Sequence, residues 1–338
     1  MKTTTDRLHY IDVAKGILIV LVVIHHIPQI IKGQVGISDG FWAGVGFLNI
    51  FYASWFMPAF FFLSGMCSNF DRQFPDFLRR NVKSLLIPAV VLPIVGTWLL
   101  HLAQLDLHPS SYLHLDLRRI VLYGSWCWFL PALFVARLVY WTIHHWLQGS
   151  AGRIIACLTL LVVACALKQF DVVPNFWMHR HALAMVLYIA LGQCCRQHPI
   201  RDCYYYIGGG LFLLLTLVLQ LGHFHYCWIT NAFRVEVVQI PLHLALCLTG
   251  ICLVMTIARL ISSNALLELL GRNSLYIYVF QYMFLQMLIG RLHDVIADAN
   301  MLACCLLLML FIAATLAASL LFSWIMHRPY LRYCIGEF

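Results

Sequence analysis

The chain has 338 residues, 62% of them hydrophobic and only 11% charged, with a net charge of +8. Long apolar runs recur from one end to the other, which excludes a soluble domain and makes the chain an all-α, polytopic membrane helical bundle. The Lys and Arg excess is the kind that cytoplasmic loops of membrane proteins collect, so no nucleic-acid partner follows from it.

Ten apolar segments are read in chain order, roughly at 8–31, 41–67, 84–103, 120–143, 154–169, 181–194, 203–221, 238–258, 273–291 and 301–326. Most approach the length of about 20 residues that a bilayer crossing needs. The fifth and sixth look short, with true ends expected further out. The N-terminus, MKTTTDRLHYIDVAKG, enters the first segment without a small-residue cleavage site, so this span is expected to stay. With ten spans both termini share one side. That side carries thirteen of the Lys and Arg residues outside the spans and the other carries seven, so both termini are expected in the cytoplasm, in a bacterial inner membrane. Residues 1–338 read as a single membrane domain. Most of the thirteen cysteines sit in apolar runs such as LTLLVVACAL and MLACCLLLML, where a thiol acts as a small hydrophobe. No C-x-x-C pair has metal-finger spacing, and no metal is expected.

The first segment holds IDVAKG at 11–16 and VVIHH at 22–26. Asp12, Lys15, His25 and His26 therefore lie in or near the membrane, where polar groups are costly and usually have a task. Lys15 and His26 are eleven positions apart, about three turns, and project from nearly the same helix face. His25 points roughly 100° away. Asp12 and Lys15 either pair on one surface or sit as interfacial residues with Lys15 snorkelling. His26, three turns deeper, is either a general base or a histidine satisfied by a backbone carbonyl.

Farther along, Pro58 is a kink point, Ser64–Gly65 permit close helix approach, and Phe60, Phe61 and Phe62 read as packing or lipid-facing surface. FLRRNVKSLLIP places Arg79, Arg80 and Lys83 at the expected cytoplasmic surface, as a topology signal or a phosphate site. GSWCWFLPALFVAR at 124–137 combines Trp126, Trp128 and Phe129 with Pro131, another kink point, and Arg137, a polar lining; its aromatics suit an interface belt or a sugar cleft. Histidines 101, 108, 114, 179, 181, 223 and 225 gather near the outer loops, without metal-ligand spacing. LLGRNSLYIYVFQYMF at 269–284 adds Arg272, Asn273, Ser274, Tyr276 and Tyr278 at the start of a span and Gln281 inside it.

The order YIDVAKGILIVLVVIHH, FMPAFFFLSG, FLRRNVKSLLIP, WCWFLPALF and LLGRNSLYIYVFQ, spread over residues 10–281, resembles the membrane-bound acyltransferase family 3, especially its fucose-4-O-acetylase-like sugar O-acetyltransferases. The family's basic residue, ten intervening residues and essential histidine fall on Lys15 and His26, not on His25. Two positions depart from the pattern: Phe56 stands where a histidine often precedes MP, and Gln281 where a histidine often closes the SLYIY motif.

The resemblance implies transfer of acetyl from acetyl-CoA, a donor substrate rather than a resident cofactor, to a hydroxyl of a cell-surface glycan or lipid-linked sugar. His26 is then the general base, and Lys15, steadied by Asp12, stabilises the oxyanion or positions the donor. Arg79, Arg80 and Lys83 receive the CoA phosphates, and Trp126, Trp128, Arg137 and Gln281 are acceptor contacts. Direct transfer and an acyl-histidine intermediate both remain open. At 1.5 Å per residue, Lys15 and His26 differ by roughly 16 Å in depth, so they are expected at two levels of one cavity. The alternative is a transporter of a sugar, acyl or lipid-linked intermediate. A transporter often shows two similar halves, whereas the polar motifs here crowd into residues 12–88.

Overall fold

The computed structural model describes residues 9–31, 51–102, 127–169, 176–221, 239–292, 295–296 and 300–331. Its helices are α1 (His9–Ile31), α2 (Phe56–Cys67), α3 (Phe74–Asn81), α4 (Ile87–Leu102), α5 (Phe129–Trp146), α6 (Ser150–Gln169) and α7 (His179–Gln197). They continue as α8 (Asp202–Leu221), α9 (Ile240–Ile261), α10 (Ala265–Arg272), α11 (Ser274–Arg291) and α12 (Met301–Met326). Each of the ten apolar segments is mainly helical over its described part, the second being broken by a turn at 53–55. Among the described residues, five helices are both long and apolar enough to cross a membrane: α1, α6, α8, α9 and α12. The chain is an integral membrane protein.

The fifth and sixth segments do extend beyond their apolar cores, to 20 residues in α6 and 19 in α7. Neither proline marked as a kink point lies in a helix interior. Pro58 and Pro131 are each the third residue of α2 and α5, in the first turn, where a missing N–H breaks no intrahelical bond. The kink-prone geometry lies elsewhere. α3 runs into α4 through a π-helical turn, Val82–Leu86. Pro88 has no N–H to offer the carbonyl four residues back, at Ser84, so the local ladder shifts register.

α1 is the interior helix. It touches α2, α9, α10, α11 and α12, and 61% of its span is buried, against 17% for the more apolar α12. Glycines set the closest approaches. A Cβ on Gly16 would collide with the Leu267 carbonyl, and one on Gly271 with the Asp12 carbonyl, so α1 and α10 cross backbone to backbone. Gly65 and Gly192 do the same for α2 and α7, against the Ile189 and Phe62 carbonyls. Without a hydrophobic force between helices in lipid, such close backbone packing supplies the association. Phe61 and Phe62 are core residues, while Phe60 is half-buried.

An ionic latch closes the lower end of α1. Ser263 Oγ donates to Glu268 at 2.6 Å, and His9 Nδ1 lies 2.9 Å from the other carboxylate oxygen. The Ser263 hydrogen bond, then the His9 one, hold the Glu268 carboxyl below its ordinary pKa.

Candidate functional site

Five elements enclose a cavity of about 260 Å³: α1, α2, the π turn, α5 and α11. Lys15 enters it from α1 and Arg137 from α5; Ser64, Ser84, Ser274 and Tyr278 supply hydroxyls, and Met57, Phe60 and Phe129 supply apolar wall. Among the described residues no carboxylate lines it. Its two cations, with no anion among the described lining residues, make it a receptor for negative charge. Cys67 and Ser84, both exposed, mark its mouth.

Arg137 is held rigidly. Its Nη1 donates to Asn81 Oδ1 at 2.9 Å and its Nη2 to the Ser68 hydroxyl. Asn81 is turned correctly by its own amide, which donates to the Phe77 carbonyl at 2.7 Å, and Ser68 Oγ donates to the Ser64 carbonyl at 2.6 Å. Arg137 Nε is buried without a partner. The residue thus ties the ends of α2 and α3 to α5 while keeping its positive charge on the cavity wall.

Arg79 and Arg80 are exposed in the last turn of α3, and Lys83 is half-buried in the π turn. Arg80 is near enough to Arg137 to act on it electrostatically. The basic patch is therefore continuous with the mouth, because Lys83 is followed directly by Ser84 of the cavity wall.

His26 and His25 part company as their spacing requires. His25 is buried against Phe56 and Tyr52 on the α2 side, with ring centroids 5.2 and 6.1 Å away. His26 faces α11: its ring stands edge-on to Tyr282 at 5.7 Å, and Gln281 approaches its Nδ1 at 3.0 Å. The same Nδ1 lies 2.8 Å from the Val22 carbonyl. A carbonyl can only accept, so Nδ1 carries the proton and Nε2 keeps the basic lone pair. Gln281 then has to turn its oxygen, which otherwise has no partner, toward that N–H.

Among the described residues His26 does not line this cavity, so Lys15 and His26 are not two levels of one cavity as expected; α11 links their surroundings instead. Ser274, Tyr278 and Gln281 follow one helix face, the first two on the cavity wall and the third on His26. Tyr278 to Gln281 is a rise of about 4.5 Å, one turn or less. At the same level on α2, Met57 lines the cavity and its neighbour Phe56 packs on His25. The cavity begins beside Lys15 and stops one turn short of the His26–Gln281 pair.

A family model described as an acyltransferase domain, of the acyltransferase 3 family, matches residues 8–328. The chain belongs to that family. It is a membrane acyltransferase. No curated protein and no solved structure gives a match.

In this acyltransferase, the residues singled out from the sequence form two groups. Lys15 and Arg137 share the cavity, with Arg79, Arg80 and Lys83 about its mouth; His26 and Gln281 form the second group above it. Asp12 is buried where α1 crosses α10. Trp128 immediately precedes α5, its ring 5.5 Å from His181, and its neighbour Phe129 rather than Trp128 itself reaches the cavity. Trp126, His223 and His225 lie outside the described residues. Sequence reasoning passed over Asn81, Ser68 and Tyr282. Asn81 carried a usable signal, a polar residue on the apolar side of the amphipathic α3; Ser68 and Tyr282 carried none.

Proposed function

We propose that this acyltransferase moves an acetyl group from acetyl-CoA, entering from the cytosol, to a hydroxyl of a cell-surface carbohydrate presented from the opposite side of a bacterial inner membrane. The observation that carries the reading is the cavity running from Lys15 to one turn below His26. Its mouth adjoins the basic patch of Arg79, Arg80 and Lys83, which suits the phosphates of a CoA thioester. Its partly apolar interior suits the donor arm. The same polarity makes both termini cytoplasmic.

His26 Nε2 takes the proton from the acceptor hydroxyl as that oxygen attacks the thioester carbonyl. The tetrahedral intermediate collapses with loss of the C–S bond, and the protonated imidazole returns its proton to the departing thiolate. Nδ1–H, held by Val22 and faced by Gln281, keeps the ring in the tautomer that can do this. Lys15 and Arg137 place positive charge along the donor, and Asp12, three residues from Lys15 and buried, helps fix it. Trp126, Trp128 and Gln281 are left to the acceptor side, as expected of the sugar O-acetyltransferase branch.

The test is purified protein with radiolabelled acetyl-CoA and membrane glycan extracts. Glycan labelling abolished in His26→Ala and retained in His25→Ala is expected. Undiminished transfer by His26→Ala removes the proposed base, and failure to bind acetyl-CoA removes the donor.

A further inference from the structure

The cavity stripe of α5 does not end at Arg137. Phe129, Leu133 and Arg137 line the cavity at four-residue spacing, and Trp141 and His145 continue that spacing out to the exposed end of the helix. Trp141 and His145 stack on each other, centroids 3.9 Å apart and planes 28° from parallel. Both rings are pinned by the backbone. Trp141 Nε1 donates to the Arg72 carbonyl at 3.0 Å, and His145 Nδ1 lies 2.9 Å from the Trp141 carbonyl. Phe74, at the start of α3, braces Trp141 from the side at 4.9 Å. Trp141 is thus enclosed by its neighbours, whereas His145 is exposed. The result is a fixed aromatic stack with one open end, next to Arg72, and the exposed Arg79 and Arg80 stand at the far end of α3, the helix whose first residue braces it.

Aromatics that merely anchor a helix at the membrane surface need neither a mutual stack nor arginines on the segment that braces it. A flat π-system carrying phosphates needs both: a platform for its face and cations for its charge. Along α5 the platform and the deep cavity wall are about 24 Å apart, so a ligand that spans them is long and has its reactive end far from its nucleobase.

We propose that the Trp141–His145 stack is the purine subsite of a nucleotide-bearing acyl donor, with the base lying on the outer face of His145 and the phosphates between it and Arg79 and Arg80. The inference rests on the CoA-donor reading above and adds the place of the nucleotide. Binding of CoA and of 4′-phosphopantetheine, which lacks the nucleotide, is measured calorimetrically on the full-length protein in lipid nanodiscs. His145→Ala is expected to weaken CoA binding roughly tenfold, the scale of one base–aromatic stack, and to leave phosphopantetheine binding unchanged. His145→Phe, which keeps the face and loses the imidazole, is expected to restore CoA binding.

Wild-type affinity for CoA in His145→Ala overturns the subsite and leaves these rings as interface anchors. Equal weakening for both ligands overturns it as well, by pointing to damage of the fold. If the wild-type protein binds CoA no better than phosphopantetheine, the subsite fails and the donor reading survives. If it binds neither, both fail.

Discussion

Lys15 and His26 share one face of α1, yet their surroundings are opposite. Lys15 meets an open cavity whose described lining has a second cation, Arg137, four hydroxyl residues and no carboxylate. His26 is half-buried, with a carbonyl, an amide and two aromatic rings, His25 and Tyr282, as near neighbours. The lower site has charge to offer and room for a ligand; the upper has an imidazole whose Nδ1 is held by a carbonyl. Separating them lets a protein keep an anion-binding group and a general base from neutralising each other, while one helix holds both in register. In the proposed reaction it also lets donor and acceptor arrive from different sides.

The largest expected effect comes at the upper site. His26→Ala is predicted to lower acetyl transfer by about 10²–10⁴-fold, the usual worth of a general base, while acetyl-CoA binding by calorimetry stays at the wild-type value. A loss of donor binding in this variant would erase the distinction between the two sites. The converse variant, Lys15→Met, is predicted to weaken acetyl-CoA binding roughly tenfold or more, the scale of one charge-assisted contact. Unchanged binding would show that the cavity charge serves something other than the donor.

Gln281→Ala sharpens the upper site. Transfer is predicted to fall by about tenfold, less than for His26→Ala, because Val22 still holds Nδ1–H after one hydrogen bond is lost. An effect as large as that of His26→Ala would make Gln281 a direct participant. Gly271→Ala tests the frame common to both sites, since the added methyl meets the Asp12 carbonyl. A loss of about 1–3 kcal/mol is expected, read as a lower melting temperature in detergent.

The smallest effect concerns the latch beneath Lys15. Because the folded Glu268 carboxyl is held below its ordinary pKa, by Ser263 first and His9 second, its contribution is complete above the ordinary carboxylate range. It declines as pH falls through that range and is gone below the folded value. Glu268→Gln is therefore predicted to lower the melting temperature slightly at neutral pH and to converge with wild type in acid; a constant difference at all pH values would contradict the linkage.

The Lys15–His26 spacing was legible because it is a property of one helix, and 3.6 residues per turn fixes which side chains share a face. The separation of His25 from His26 followed from the same arithmetic. The basic patch was equally local. Arg137 was legible as a polar residue in an apolar segment, but not its place beside Lys15, since Asn81 and Ser68 are 56 and 69 residues away. Tyr278 and Gln281 stood out as polar groups on α11; that one lines the cavity and the other meets His26 depends on how α11 lies against α1.

The sequence alone determined the all-helical membrane class, the apolar segments, and the alignment of Lys15 with His26, since these rest on backbone hydrogen bonds and hydropathy along a short stretch of chain. Only the tertiary structure decided which helices are interior. α12 is more apolar than α1 but far less buried, because lipid is as apolar as a protein core and hydropathy does not distinguish them. Helix contacts are chosen instead by close backbone approach, as where Gly16 meets α10 and Gly271 meets α1. That crossing, not any local pattern, sets where α1 lies and hence what faces Lys15 and His26.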